Sequence, residues 1–399
     1  MFCEAEIVAA PVLPQRPRTL ALPDGIAPLA GYTVAVAADR RRHRLAALLE
    51  EAGARTVGVQ ALQSFATADQ PTVAEATRVA LAEPIDELLV ASDFGFRAWL
   101  AAARSLDLAG ALVDRFAGAR LLASNARAAD ALRELGLSRG GPAGRRAPEI
   151  WSTAAGSTEE LVRYLLAHPQ AGRRIVVQSD GVGLAELCHA LRTAGATVVE
   201  VPTFRYEPPA HADLLRRLGD QIVNRQVDAV TFTAAPAVAH LLAQAATDRR
   251  RDELLNALAE EVPALCPGEL TAAPLAACGV PALTAPVPYL ADLVGLACAQ
   301  VPRQAVRLAA GGYRMEVRGQ AVVLDDELIP VPPGPIAVLR ALARNPGRVL
   351  SCAEIRRVTP SWSAVDDHAI EMAVSRLRRT LHDSDLIQTV MRRGYRLVA

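Results

Sequence analysis

Apolar and polar residues follow two different patterns along the chain. Up to about residue 300, short apolar runs such as the one after Gly31 alternate with amphipathic segments of helical period. This alternation predicts an α/β fold in which parallel sheets are covered by helices on both faces. From about Val306, short strands of period two are followed by helices and a final strand pair.

Three stretches of the first 300 residues occur twice, in the same order and at an offset of 141 to 143 residues. The paired stretches begin at Gly31 and Gly172, begin at Ile85 and Val227, and end at Gly136 and Gly279. Three ordered matches at one offset indicate an internal duplication. We therefore predict two doubly wound parallel-sheet domains, followed by a smaller domain at the C-terminus.

The C-terminal residues combine a basic amphipathic helix with a basic hairpin. From Arg307 onward there are fourteen arginines against ten Asp and Glu, whereas the whole chain is neutral. A helix followed by a hairpin can place side chains in a major groove and on phosphates. The candidate DNA-binding residues are Arg376, Arg378, Arg379, Arg392, Arg393 and Arg396.

The closing motifs Thr389-Val390 and Gly394-Tyr395-Arg396-Leu397 resemble the winged-helix effector domain of OmpR/PhoB-type response regulators. The chain departs from that pattern at Thr380, Met391 and Arg392. The resemblance implies a winged helix-turn-helix over residues 304–399, with double-stranded DNA as its partner. RNA polymerase or another regulator is a further candidate partner. Ser351 is predicted as a helix N-cap.

Composition restricts the remaining choices. Hydrophobic residues make up 51% of the chain, yet no apolar run is long enough to span a bilayer, so we expect no membrane partner. The early prolines predict a flexible tail over residues 1–27 rather than a signal peptide. Six scattered cysteines and seven unclustered histidines indicate a reduced, cytoplasmic protein with no metal site and no cofactor.

The duplicated α/β unit resembles uroporphyrinogen-III synthase over residues 28–302. That family closes linear hydroxymethylbilane into a macrocycle and inverts the last pyrrole. By this resemblance, lobe one comprises residues 28–61 and 205–302, and lobe two comprises residues 62–204. The substrate would lie in the cleft between the lobes, its carboxylates held by N–H groups at helix starts.

The resemblance also marks candidate ligand-binding residues, namely Ser92, Ser179, Thr233, Gly268 and Thr271. The G-x-x-T element is intact in its second copy, but the first copy reads Asn125-Ala126-Arg127-Ala128. Ala234 likewise replaces the serine that the family has after Thr233. For the serines and Thr233, capping of their own helices is the alternative interpretation.

Phe204 occupies the position where the resemblance places a tyrosine that helps to protonate the departing hydroxyl group. Tyr206 lies two residues further and faces the same side of an extended strand, so it is the candidate catalytic residue. Four arginines open the first helix, either as a solvated face or as an anion clamp at the cleft. They are Arg40, Arg41, Arg42 and Arg44.

Two functions fit this architecture. The first is a transcription regulator whose synthase-like module senses a tetrapyrrole, its linear precursor or another polycarboxylate. Actinobacterial proteins that pair these modules are associated with nitrate and nitrite assimilation, and the nitrite reductase cofactor sirohaem derives from uroporphyrinogen III. The second is an active uroporphyrinogen-III synthase, a hydro-lyase, that carries a DNA-binding tail. An ordinary response regulator is excluded, because the paired acidic residues of a receiver domain are absent after the first strand.

Overall fold

The computed structural model describes residues 25–39, 41–66, 71–135, 149–153, 158–179, 184–287, 289–359, 362, 365–382 and 385–398. Residues 1–24 of the predicted tail lie outside the described residues, and so does Arg40. No described helix is long and apolar enough to cross a membrane.

Lobe one is built on a five-stranded parallel sheet of order β12-β11-β10-β1-β2. Its elements are β1 (Thr33–Ala38), α1 (Arg42–Glu51), β2 (Arg55–Gln60), α8 (Ala212–Val223), β10 (Ala229–Phe232), α9 (Ala235–Thr247), α10 (Arg251–Glu260), β11 (Ala264–Cys266), α11 (Glu269–Ala276), β12 (Ala282–Thr284) and α12 (Leu290–Gln300). Apolar clusters cover both sheet faces, so its inner strands are buried almost throughout.

Lobe two has a second five-stranded parallel sheet, of order β6-β5-β4-β7-β8. Its elements are α2 (Pro71–Ala82), β4 (Glu87–Val90), α3 (Asp93–Ser105), α4 (Ala109–Phe116), β5 (Arg120–Ala123), α5 (Ala126–Arg133), β6 (Ile150–Ser152), α6 (Thr158–Leu166), β7 (Arg174–Ser179), α7 (Ala185–Thr193) and β8 (Thr197–Pro202). The repeat-matched strands occupy equivalent places in both sheets, which confirms the predicted duplicated fold. The lobe boundaries given above stay a prediction.

A two-stranded antiparallel ribbon joins the lobes. It consists of β3 (Gln63–Ala66) and β9 (Phe204–Glu207), the two segments where the chain passes between the sheets. Both crossings of the chain between the lobes therefore lie in this one narrow ribbon.

The C-terminal module contains a four-stranded antiparallel sheet, three helices and a hairpin. Its elements are β13 (Val306–Ala310), β14 (Tyr313–Val317), β15 (Ala321–Leu324), β16 (Glu327–Pro330), α13 (Pro333–Ala343), α14 (Cys352–Val358), α15 (Asp367–Thr380), β17 (Ile387–Val390) and β18 (Gly394–Leu397). One apolar cluster fills the space between them, and Tyr395 packs against it from the hairpin. This is the predicted winged helix. We call it the winged-helix module and its final hairpin the wing.

The winged-helix module docks on lobe one through a polar interface. The Arg318 guanidinium donates to the Ala30 carbonyl over 2.9 Å, and the Gln320 N–H donates to the Gly31 carbonyl over 2.6 Å. On α13, Arg340 pairs with the largely buried Asp228 over 3.0 Å. The connection through Val301 is itself buried in the lobe-one core, as part of the turn Val301–Gln304. The module is therefore fixed to lobe one.

Candidate functional site

Ser92 and Ser179 lie on neighbouring strands at one edge of lobe two. Ser92 follows β4, and Ser179 ends β7, which pairs in parallel with β4. The Ser92 hydroxyl accepts a 3.0 Å hydrogen bond from the Gly95 N–H, so it caps α3. Its own N–H donates to the buried Gln178 side chain over 3.2 Å. Ser92 thus has the capping role, and its hydroxyl hydrogen can still be donated to a ligand.

Asn125 is the N-cap of α5 in lobe two and caps it as Ser92 caps α3. Its Oδ1 accepts a 3.1 Å hydrogen bond from the Ala128 N–H, and its Nδ2 donates to Ser124 Oγ over 3.0 Å. The glycine of the family motif has no side chain that could do this. The starts of α3 and α5 are therefore both capped by the protein itself.

Lobe one presents helix starts of a different kind. Thr233 follows β10, and its neighbour Ala234 is the N-cap of α9; Gly268 is the N-cap of α11. Neither cap has a side chain that accepts a hydrogen bond from the described backbone. The buried Thr271 lies in the first turn of α11. The helix dipole favours an anion at the start of α11, but Glu269 already places a carboxylate in its first turn, and the Thr271 N–H donates to the Gly268 carbonyl over 3.1 Å.

Two contacts join the lobes across the cleft at the carboxyl ends of their strands. Arg41, the N-cap of α1, pairs with Asp93 in the first turn of α3 at 2.7 Å. The Tyr289 hydroxyl, just before α12, donates to Asp130 on α5 over 2.9 Å. Burial and then this hydrogen bond raise the pKa of Tyr289. The carboxyl ends of the strands of the two sheets therefore face each other. Open α/β sheets bind their ligands at this end of the strands.

Phe204 and Tyr206 lie on one face of β9, opposite Ala66 and Ser64 of β3. The Phe204 ring is buried and lies 5.4 Å from the Phe94 ring and 5.1 Å from the Tyr206 ring, centroid to centroid. The half-buried Tyr206 packs against the lobe-one core.

The start of α3 lies directly against the Phe204 ring. A Cβ on Gly95 would come within 2.6 Å of Phe204 ring carbons, so no larger residue fits there. The structure therefore buries the Phe204 ring against the start of α3, at the residue where the resemblance expected a phenol.

Four of the six candidate DNA-binding arginines are exposed on the surface of the winged-helix module. Their guanidinium groups make no hydrogen bond or ion pair with the described residues of the module. Arg376 and Arg379 are exposed on α15, and Arg392 and Arg393 are exposed at the tip of the wing. Met391, beside them, is 83% exposed. Helix and wing each present exposed arginines, as modules that bind a polyanion do, although Asp367 and Glu371 are also exposed on the first turns of α15.

The other two arginines are engaged inside the winged-helix module. The Arg378 Nε donates to the Ile387 carbonyl over 2.8 Å, and its Nη2 donates to the Thr389 hydroxyl over 2.8 Å. Arg396 donates to Gln388 across the wing strands over 2.8 and 3.0 Å. We therefore interpret Arg378 as the residue that fixes the angle between α15 and the wing.

Sequence reasoning missed the cross-lobe partners Asp93, Asp130 and Tyr289. No sequence pattern marks them, because the pairs are separated by 52 and 159 residues. Among the described residues, no group of three or more His, Cys, Asp or Glu could hold a metal ion.

Two family models match the chain. The model described as "Uroporphyrinogen-III synthase HemD" matches residues 43–295. The model described as "Transcriptional regulatory protein, C terminal" matches residues 326–397. The first match covers both lobes, and the second covers most of the winged-helix module.

Individual relatives agree with this division. The uncharacterized protein YjjA of Bacillus subtilis is 26% identical over 258 residues, which are 65% of this chain and 91% of YjjA. The response regulator protein PmrA of Pseudomonas aeruginosa is 36% identical over 90 residues, 22% of this chain and 40% of PmrA. A crystal structure of a mutant uroporphyrinogen III synthase from Thermus thermophilus is 27% identical, with a TM-score of 0.51. That alignment covers 66% of this chain and 96% of the synthase.

Proposed function

The chain belongs to the uroporphyrinogen-III synthase HemD family, and from that premise we propose that it is a transcription regulator whose synthase-like lobes sense a polycarboxylate. The presence of a C-terminal domain of transcriptional regulatory proteins on the same chain supports a DNA-binding regulator. The ligand class we propose is a tetrapyrrole or its linear precursor. If the ligand is sirohaem, the regulated process is nitrate or nitrite assimilation.

Double-stranded DNA is the proposed partner of the winged-helix module. With α15 in the major groove, the exposed Arg376 and Arg379 reach base edges or the flanking phosphates. Arg392 and Arg393 at the tip of the wing then contact phosphates. The surplus of positive charge from Arg307 onward supplies the part of the affinity that does not depend on sequence.

Two features of the chain support the sensor proposal: the cleft has groups that suit an anion, and phenylalanine stands where the resemblance expects the acid. The uncapped start of α11 and the guanidinium of Arg41 face the cleft, and Asp93 now pairs with that guanidinium. A ligand carboxylate can take the place of Asp93, because it offers the same charge and geometry.

Turnover is the weaker function of this cleft. Phe204, Ala128 and Ala234 carry no hydroxyl group where the family has one. Loss of a side-chain acid typically costs about a hundred- to ten-thousand-fold in rate. Binding needs no such group, since helix starts without a capping side chain, as in lobe one, can hold a carboxylate without reacting with it.

The second candidate function is an active synthase with a DNA-binding tail. It is favoured by Tyr206, whose ring lies 5.1 Å from the Phe204 ring on the same face of β9. Positioning of a flexible substrate alone also contributes a large rate enhancement.

A turnover assay with hydroxymethylbilane, run beside a stand-alone synthase, separates these functions. We expect turnover at least about a hundred-fold below that of the synthase. In the same preparation, uroporphyrinogen III, hydroxymethylbilane and sirohaem are titrated against binding to an operator fragment selected from random DNA. Comparable turnover would favour the enzyme, and no ligand effect on DNA affinity would refute the sensor proposal.

A further inference from the structure

One side of α15 faces away from the core of the winged-helix module. The residues by which α15 packs against that core are Ile370, Ala373, Val374 and Leu377. Because successive residues of an α-helix are turned by about 100° around its axis, these four residues also define the opposite side. That side carries four exposed residues, which we call the outer face of α15: His368, Met372, Ser375 and Arg379.

Met372 is the large apolar residue of the outer face. It is 56% exposed, whereas the other large apolar residues of α15, a helix whose residues are all described, are buried. Arg376 and Arg379 follow it about one and two helical turns later, close to the same line along the helix, and both are exposed. A thioether side chain therefore lies beside two of the arginines that we propose to contact DNA.

The surroundings of Met372 suit duplex DNA better than a protein partner. Proteins associate through contiguous apolar patches, and a single methionine between arginines does not form such a patch. Exposed arginines favour a polyanion instead. In the major groove, each A·T pair presents one apolar group, the C5 methyl of thymine. The methionine side chain is flexible and polarizable, so it can adjust to a group of this size.

The carboxylates of α15 lie away from Met372. Asp367 forms an ion pair with Arg356 of α14. Glu371 is turned by about 100° from Met372 around the helix, and its Oε2 lies 3.8 Å from Nδ1 of His368. Met372 also lies in the N-terminal half of α15, and this half of a recognition helix contacts base edges in helix-turn-helix proteins. Its place on the helix therefore fits contact with a base.

We propose, on the basis of the proposed DNA-binding function, that Met372 contacts the C5 methyl group of one thymine in the major groove. This contact selects thymine at one position of the operator. Met372 and Arg379 are seven residues apart, which is about 10 Å along the helix axis, so they contact different base pairs. Arg379 recognises acceptors of guanine, whereas Met372 recognises a methyl group.

Replacement of thymine by deoxyuridine tests this contact, because deoxyuridine pairs like thymine but lacks the methyl group. The full-length chain first selects a duplex from random DNA, and each thymine of that duplex is then replaced in turn. We expect one replacement to weaken binding about four-fold, which corresponds to about 0.8 kcal/mol for one buried methylene-sized group. Met372→Ala, an exposed change that should leave the fold intact, should bind the thymine and deoxyuridine duplexes equally at that position.

Met391→Ala is the matched control, because Met391 is an exposed methionine of the same module at the tip of the wing. It should keep the preference for thymine over deoxyuridine at the sensitive position. The proposal is overturned if no replacement weakens binding, if the preference persists in Met372→Ala, or if Met391→Ala abolishes it. If the full-length chain selects no duplex at all, the proposed DNA-binding function fails together with this contact.

Discussion

At the scale of single residues, Phe204 allows the sensor and enzyme proposals to be separated. By the resemblance it stands where the family carries tyrosine, and its buried ring lies against the start of α3. Phe204→Tyr adds only a hydroxyl group, so we expect hydroxymethylbilane turnover to rise at least about a hundred-fold. Tyr206→Phe is the matched control and should leave the low basal rate unchanged. An unchanged rate in Phe204→Tyr, or a lost basal rate in Tyr206→Phe, would instead assign the acid to Tyr206.

The arginines of the winged-helix module make different individual contributions. Replacing Arg376 or Arg379 by alanine should relax base preference, at about 1 to 3 kcal/mol for each lost bidentate base contact. Arg393→Ala should weaken binding to all DNA sequences alike. It should also reduce the slope of log affinity against log salt concentration by about one. Arg314→Ala is the control, because that arginine is exposed on β14 away from helix and wing. Competition binding on random duplexes at two salt concentrations measures both effects; equal losses for all four variants would contradict these roles.

At the scale of elements, α14 depends on a capping box. The Ser351 hydroxyl accepts from the Glu354 N–H, and Glu354 accepts from the Ser351 N–H. Hydrogen bonds from the Ser351 backbone and side chain lower the pKa of Glu354. Since a lowered carboxyl pKa stabilises the fold above the unfolded-state pKa, this contribution is lost as the pH falls through the folded-state pKa. Ser351→Ala should cost about 1 kcal/mol near neutral pH.

The cost of Ser351→Ala should shrink in acid, because protonation of Glu354 weakens the same box in the unmodified chain. Thermal unfolding at several pH values measures this difference. Ser375→Ala, at an exposed position within α15, is the matched control and should show no such cost. A cost that is independent of pH would mean that Glu354 contributes nothing to the cap.

The helices and strands could be predicted from the sequence more completely than the side-chain contacts between them. The repeat offset predicted equivalent strands in two lobes, since strand β1 and its copy β7 have the same apolar run and the same place in their sheets. The Ser351 cap was also predictable, because its partner is three residues away. The pairing of Arg41 with Asp93 was not, because a polar contact between distant helices leaves no periodic pattern in sequence.

At the scale of the whole molecule, the short linker does not act as the moving part. Residues of α12 and Val301 belong to the same apolar cluster as β1 and α1, and the winged-helix module bonds directly to lobe one. When the cleft closes, lobe two should therefore move relative to lobe one and the winged-helix module, which stay together. Lobe two, residues 62–204, has sixteen Asp and Glu against fourteen arginines and so carries half of the compensating negative charge. Its movement therefore shifts that charge relative to bound DNA.

This arrangement predicts that coupling between ligand and DNA requires the docked interface. A Cβ on Gly319 would overlap the carboxylate of Asp228, so Gly319→Ala should displace Asp228 and weaken the docking of the winged-helix module. In the unmodified chain, a cleft ligand should change DNA affinity, and DNA should change ligand affinity by the same factor. In Gly319→Ala both affinities should persist while that factor falls towards one, since a displaced module no longer follows the position of lobe one relative to lobe two. Gly110→Ala, where an added Cβ meets nothing within 4 Å, is the control. Titration of sirohaem with and without operator DNA gives the factor in each variant, and equal factors in all three proteins would show that the signal does not pass through this interface.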